Sequence, residues 1–136
     1  MDETILTEEL DRRGLLDASH SPGTYALRVS VPDSAEQVAR EWLAIHDAPL
    51  PDDYQTRLAA AQRVLYVGAS GDIYDRLSDH ATKRARQSAF LRAFPPVELV
   101  DVWPTMSAET AFHDEYNRAR DLSDADTRVW TDGDLL

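Results

Sequence analysis

The sequence lacks cysteine, and this absence removes several classes of chemistry. With no thiol among its 136 residues, the chain has no disulfide, no thiolate metal ligand and no cysteine nucleophile, and it is compatible with a reducing compartment. No apolar run approaches the roughly 20 residues that a membrane-spanning helix needs. The first residues, Met1-Asp2-Glu3, are acidic where a secretory signal would be basic. We therefore expect a soluble, cytoplasmic protein.

Lysine is nearly absent as well, because Lys83 is the single lysine among 14 basic residues. The 25 acidic residues give a formal net charge of −11, a composition that resembles proteins of salt-loving (halophilic) organisms. Such a charge repels nucleic acid at low salt, since phosphate contacts depend on cationic side chains. High ionic strength shortens the Debye length and weakens that repulsion. Acidity therefore counts only mildly against an enzyme of nucleic acids.

The cations that are present are unevenly spread. Segment 81–97 contains no acidic residue and carries four basic ones, namely Lys83, Arg84, Arg86 and Arg92. A solvated helix face is the more ordinary interpretation of such a cluster, and a nucleic-acid-binding patch is the alternative.

Hydrophobic periodicity predicts one α+β domain over residues 1–136, because helices and strands mix without a regular βαβ order. The predicted helices cover about 7–17, 34–47, 54–61, 72 onward and 107–120. The predicted strands cover 24–31, 63–67 and 97–103, with 128–131 as a candidate short last strand. We expect a small, largely antiparallel three-stranded sheet flanked by helices.

The predicted helix at 107–120 carries a carboxylate on its apolar face. At 100° per residue, Glu115 lies near the middle of a stripe whose other members are Ala108, Ala111, Phe112 and Ala119. A carboxylate that faces a core must be paired, bound to a metal or neutralised by a raised pKa. A structural ion pair with an arginine is the ordinary interpretation, and a metal ligand is the alternative.

A second polar stripe follows the glycine-rich turn predicted at 68–71. Arg76, His80 and Lys83 share one face of the predicted helix, an arrangement that suits an anion site, although an exposed polar stripe is the more ordinary interpretation. The glycine-rich turn also resembles the start of a dinucleotide-binding motif with three glycines. Tyr74 occupies the position of the third glycine, and the remaining chain is too short for a doubly wound sheet, so we reject that interpretation.

The run LYVGASGDIYDRLSDH, residues 65–80, is similar, position by position, to the second motif of GIY-YIG nucleases. The places of that motif are filled without a gap by Tyr66, Gly68, Ser70, Asp72, Arg76 and His80. The first motif of the family resembles Gly23-Thr24-Tyr25, and Glu115 matches the setting of the family's metal-binding glutamate.

Two features depart from the family pattern. Tyr25 and Tyr66 are 41 positions apart, whereas the family usually places its two tyrosine motifs much closer together. Residues 33–61 would therefore form an atypical helical insertion between the first two strands. Asp72 also replaces the commoner asparagine.

The resemblance implies a divalent-metal-dependent endonuclease (a hydrolase) that cuts phosphodiester bonds in nucleic acid, with DNA as the expected substrate and DNA repair as one expected setting. It implies the catalytic residues Tyr25, Tyr66, Arg76, His80 and Glu115. One of the tyrosines would accept a proton from the attacking water, and Arg76 would bind the phosphate. His80 would orient, protonate or assist the tyrosine.

The resemblance also implies a cofactor and contacts to the substrate backbone. Glu115 would hold Mg²⁺ or Mn²⁺, since Mg²⁺ keeps several waters and needs few protein carboxylates. Backbone contacts are expected from Ser70, Lys83, Arg84 and Arg86. The alternative is a GIY-YIG-like domain that has lost cleavage and binds nucleic acid or protein. The oligomeric state stays open.

Overall fold

A computed structural model describes residues 1–82 and 88–131, together with the backbone of 134–135. Its helices are α1 (Glu3–Arg12), α2 (Leu16–Ser19), α3 (Ala35–Ile45), α4 (Asp52–Ala60), α5 (Ile73–Thr82), α6 (Ala89–Ala93) and α7 (Ala108–Leu122). Its strands are β1 (Gly23–Val29), β2 (Arg63–Ser70), β3 (Pro96–Pro104), β4 (Thr127–Thr131) and β5 (Asp134–Leu135). The predicted α+β class is confirmed. Within the described residues, no helix has both the length and the apolar character that crossing a membrane requires.

The strands form one mixed sheet in the order β3-β1-β2-β4-β5. β1 is antiparallel to both β2 and β3, and β4 is antiparallel to β5. β2 and β4, however, are parallel. The expected three-stranded, largely antiparallel sheet is therefore wrong in strand number, and one of its pairings is parallel. The reason is α7, which crosses one face of the sheet after β3 and returns the chain to the start of β2.

Side chains alternate between the two faces of the sheet and bury two separate cores. From β1, Tyr25 and Leu27 enter the larger core, to which α1, α3, α5 and α6 contribute their buried apolar residues. Ala26 points to the opposite face, where it joins Leu65 and Ala119 beneath α7. The helices thus cover both faces of the sheet, with α7 alone packed on the smaller core among the described helices.

The segment between β1 and β2 forms two helices, as the sequence predicts. Ser34 caps α3 by accepting a hydrogen bond from the Gln37 amide at 3.4 Å. On the inner face of α3, Trp42 is buried and its ring lies 5.5 Å from that of Trp130 and 6.4 Å from that of Phe94. The insertion is therefore part of the larger core and not an appendage to it.

Several element boundaries differ from the predicted ones. α1 begins at Glu3 and not at Thr7, because the Asp2 side chain caps it by accepting from the Ile5 amide at 2.8 Å. Gly14, with a φ of 70°, ends the first helical segment, so the predicted helix at 7–17 is divided in two. β2 continues to Ser70 through the predicted turn, because its last residues still pair with β1. α6 was not predicted, since five residues are too few for a periodic pattern.

Candidate active site

The pairing of β1 with β2 brings the two motif tyrosines together. Tyr25 lies opposite Gly68 and Leu27 lies opposite Tyr66, so both tyrosines project from the same face with ring centroids 6.4 Å apart. The glycine is required here, because a Cβ at position 68 would lie 2.9 Å from Cε2 of Tyr25. The motif glycine therefore provides the space across which the Tyr25 ring packs.

His80 joins the tyrosines from the last part of α5. Its Nε2 lies 2.8 Å from the Tyr25 hydroxyl, and its ring centroid is 5.7 Å from that of each tyrosine. The three side chains are each only 1% exposed. An exposed polar stripe, the ordinary interpretation of the sequence, is therefore wrong for His80. The stripe turns inward because α5 packs on the sheet face that carries both tyrosines.

Burial keeps the His80 imidazole neutral. Desolvation, and after it the positive charge of Arg76, lowers the pKa of His80 from 6.5 to about 3. At neutral pH one ring nitrogen therefore carries a proton and the other is an acceptor. Depending on the tautomer, Nε2 accepts a hydrogen bond from the Tyr25 hydroxyl or donates one to it. In either form the pair is a neutral hydrogen bond within an apolar core.

A cavity of about 320 Å³ opens beside the tyrosines, at the end of β2 where the chain turns into α5. Its described lining comprises Tyr25, Tyr66, Ala69, Ser70, Gly71, Arg76 and Phe112. Arg76 is half-buried, so its guanidinium is shielded from part of the solvent while it reaches the cavity. The cavity therefore combines two phenols with one cation, which is a chemistry suited to binding an anion.

Ser70 and Asp72 build the turn at this end of β2. The Ser70 hydroxyl donates to the Asp72 carbonyl at 2.8 Å and accepts from the Asp72 amide at 3.0 Å. The Asp72 carboxylate accepts from the Asp75 amide at 3.1 Å and so caps the start of α5. An aspartate serves in this capping position as well as an asparagine would. Contact between Ser70 and a phosphate stays a prediction.

Glu115 lies on α7, whose start is capped by Ser107 as predicted. The apolar stripe predicted around Glu115 is confirmed for Ala111 and Ala119, which are fully buried. It is wrong for Phe112, which is 56% exposed because its ring borders the cavity and does not enter a core. Glu115 is half-buried and leaves the helix on the same side as Phe112, one turn later. The described cavity lining does not include it.

Glu115 is the carboxylate that the sequence offers as a metal ligand. Over residues 1–82 and 88–131, no three His, Asp or Glu side chains are grouped as a metal cage would need. A single carboxylate such as Glu115 is nevertheless compatible with Mg²⁺, which keeps several waters and uses one or two protein carboxylates.

The predicted basic patch is only partly described. Lys83, Arg84 and Arg86 lie outside the described residues, and their contact with nucleic acid stays a prediction. Arg92 is exposed in the last turn of α6.

Sequence reasoning missed two exposed aromatic side chains on α7, of which Phe112 lines the cavity. Phe112 and, one turn later, Tyr116 are about half exposed at 56% and 49%. A signal was present, because Phe112 stands three residues before Glu115 and its face of α7 is otherwise built of alanines.

Comparison with protein-family models, with curated proteins and with solved structures finds no match to this chain.

Proposed function

We propose that this chain is a GIY-YIG-type endonuclease that hydrolyses phosphodiester bonds in DNA with the help of a divalent metal. The observation that carries the proposal is the cavity that Tyr25, Tyr66 and Arg76 share, with His80 bonded to Tyr25 at 2.8 Å. Two adjacent antiparallel strands that each present a tyrosine, followed by a helix with the arginine, are what the resemblance to that family implies. The insertion predicted at 33–61 leaves this arrangement of strands intact.

Arg76 is the phosphate-binding group of the proposed mechanism. Its planar guanidinium can donate two parallel hydrogen bonds to a phosphate, and such charge-assisted bonds strengthen where water is partly excluded. Because Arg76 is half-buried and lines the cavity, it is held near the position where negative charge builds on the phosphorane-like transition state.

Tyr25 is the better supported of the two candidate bases. In the tautomer whose Nε2 carries the proton, neutral His80 donates a hydrogen bond to the Tyr25 oxygen and so stabilises the phenolate form, which accepts a proton from the attacking water. The cation of Arg76 favours the same phenolate. A pKa of about 3 argues against His80 as the acid that protonates the leaving group at neutral pH. Tyr66 shares the cavity and would position the water.

In this proposal the carboxylate of Glu115 would bind the metal ion. When bound, Mg²⁺ or Mn²⁺ supplies charge stabilisation for the leaving oxygen. Glu115 contributes the carboxylate ligand from one turn beyond the cavity residue Phe112.

The direct test is cleavage of plasmid, single-stranded and branched DNA with Mg²⁺ or Mn²⁺, from low to molar salt, with a chelator as the blank. Glu115→Ala and Arg76→Ala should each remove cleavage while circular dichroism and the unfolding midpoint show a folded protein. Matched controls are Glu109→Ala, an exposed acid on the same helix, and Arg40→Ala, an exposed arginine on α3. Both controls should cut DNA at the wild-type rate.

The outcomes separate the proposal from its alternative. Metal-dependent nicking that is lost in the two site variants and kept in the two controls would support the endonuclease. A folded wild-type protein that cuts nothing at any salt concentration would instead favour the binding module. Unfolding of Glu115→Ala would point to the structural ion pair that the sequence also allows.

A further inference from the structure

Two aromatic side chains on α7 form an exposed surface that continues the wall of the cavity. Phe112 is 56% exposed and lines the cavity together with Tyr25, Tyr66 and Arg76. Tyr116 follows one helical turn later and is 49% exposed. Residues four apart on a helix lie on the same face, so the two rings extend the cavity along the surface of α7. A contiguous exposed apolar surface beside a cavity is one of the features that mark a binding site.

We infer that Phe112 and Tyr116 stack against unpaired bases of the strand whose phosphate lies at Arg76. This inference rests on the proposed function and specifies its substrate as DNA with a single-stranded segment. Base–aromatic stacking tolerates any sequence because every base has a π face. Phe112, as part of the cavity wall, ties the stacking surface to the position of the reacting phosphate.

The need for a free base face selects an unpaired strand. In a duplex the faces of internal bases are already covered by their neighbours, so the rings would find a free face only at an end or a branch. In an unpaired strand every base can offer a face to an aromatic ring.

Acidic residues outnumber basic ones around the rings. On the same helix Glu109 is exposed and Asp114 is half-buried, while the exposed Arg120 follows Tyr116 by one turn, and the whole chain carries a net charge of −11. Stacking requires no cation, so an acidic protein can use it to hold a polyanion. Binding through these rings should consequently weaken little with salt, unlike binding through many phosphate contacts.

A second copy of the chain is a weaker candidate for this surface. Stable interfaces bury about 1,200–2,000 Å² in total, and two rings on one helix cover only a small part of that area. A partner seated on Phe112 would also cover the cavity wall that this ring forms.

The test measures binding without metal, so that it does not depend on cleavage. The probes are single-stranded, fully paired and branched oligonucleotides that carry 2-aminopurine, whose fluorescence changes when an aromatic ring stacks on it. Wild-type protein should prefer the single-stranded and branched probes. Phe112→Leu and Tyr116→Leu, which keep apolar bulk but lose the ring, should each weaken binding of the single strand about 10-fold or more. Tyr116→Phe keeps the ring and should bind like wild type.

Two controls complete the design. Leu43→Ala removes a comparably exposed apolar side chain on α3 and should leave binding unchanged. Repeating the titration from low to molar salt should not weaken the affinity of the wild type for the single strand, because salt screens the repulsion by the acidic surface and does not weaken stacking.

The inference is overturned if wild type binds paired and single-stranded probes equally, or if the leucine variants bind as tightly as wild type. It is also overturned if sedimentation reveals a dimer that these variants dissociate without any effect on DNA. These results are independent of the cleavage assay. Ring-independent binding with metal-dependent cleavage would refute the stacking surface alone, and ring-dependent binding without cleavage would refute the endonuclease alone.

Discussion

At the scale of single residues, the molecule holds a neutral polar pair inside an apolar core. Tyr25 and His80 are each 1% exposed, and their hydrogen bond of 2.8 Å lies where Tyr25 enters the larger core. A buried hydrogen bond of this kind contributes only about 0.5–1.5 kcal/mol to the free energy of unfolding. The pair therefore adds little to stability, and its position at the cavity is compatible with the role in proton transfer that we propose.

Removal of the Tyr25 hydroxyl should affect catalysis far more than folding. Tyr25→Phe keeps the ring and deletes the atom that bonds His80, so the rate of DNA cleavage should fall about 100-fold or more, with a loss of roughly 1 kcal/mol in unfolding free energy. The matched control is Tyr74→Phe, which deletes a hydroxyl that bonds Thr7 at 3.0 Å outside the cavity. Equal cleavage rates for the two variants would remove Tyr25 from the mechanism.

The lowered pKa of His80 predicts how stability depends on pH. The unfolded chain protonates His80 near its ordinary pKa of 6.5, whereas the folded protein protonates it only near 3. Between these values the unfolded state binds more protons, so this residue makes the protein less stable as the pH falls. The contribution is at most about 1.4 kcal/mol per pH unit.

Urea unfolding at about pH 7, 6 and 5 can isolate this contribution. His80→Gln has no titrating ring, so its unfolding free energy should fall less steeply with decreasing pH than that of wild type. The many carboxylates contribute equally to both proteins and cancel in the difference. A pH-independent difference between the two proteins would show that His80 is not held neutral by burial.

At the scale of secondary-structure elements, the strand pairing depends on a glycine. A Cβ at Gly68 would lie 2.9 Å from Cε2 of Tyr25, so Gly68→Ala must displace the tyrosine or the strand and should cost about 1–3 kcal/mol. Gly71→Ala is the matched control, since its Cβ would meet only the Ala108 Cβ at 3.7 Å. The midpoints of urea unfolding measure the stability of both variants. Equal midpoints would mean that the Tyr25 ring has room to move.

The same motif explains how much of the site the sequence could predict. Tyr66, Arg76 and His80 are close in sequence, and strand and helix periods place them near one another without any long-range information. The partner of this group, Tyr25, comes from a distant strand and could be expected only from the family resemblance. Phe112 was assigned to a core because helical periodicity specifies a face but not whether a cavity interrupts it.

The insertion should be indispensable for folding because α3 supplies a large ring to the core. Trp42 is 9% exposed and packs near Trp130 and Phe94, so Trp42→Ala should lower the free energy of unfolding by about 3–5 kcal/mol. Its neighbour Leu43 is 50% exposed, and Leu43→Ala should change the free energy by less than about 0.5 kcal/mol. Chemical denaturation of both variants tests this. A mild effect of Trp42→Ala would mark the insertion as dispensable.

At the scale of the whole molecule, local patterns predicted the class of the fold but not the form of its sheet. Capping residues and apolar periods indicated α3, α7 and the strands paired in the centre. The position of β4 beside β2, and its parallel direction, follow from where α7 crosses the sheet. This crossing depends on which apolar faces pack together in three dimensions. The hydrophobic periodicity of a single segment does not contain that information.

The net charge of −11 leads to a last prediction, which concerns the thermal stability of the whole chain. An excess of like charges destabilises a compact state through self-repulsion, and the described ion pairs do not offset it, since they are mostly exposed pairs within single helices. Salt screens repulsion between exposed charges, and at about 1 M the Debye length falls to roughly 3 Å. The melting temperature should therefore rise steeply with KCl up to about this concentration.

Differential scanning calorimetry in KCl and in ammonium sulfate would check this and identify the cause. Screening saturates once the Debye length is shorter than the spacing of the surface charges, so the rise in KCl should level off. Exclusion of sulfate from the protein surface continues to stabilise burial at higher concentrations, so the rise in sulfate should not level off. A melting temperature that is constant or falls in KCl would mean that the acidic surface does not limit stability. The expected repulsion of DNA at low salt would then also have to be attributed to something other than the acidic surface.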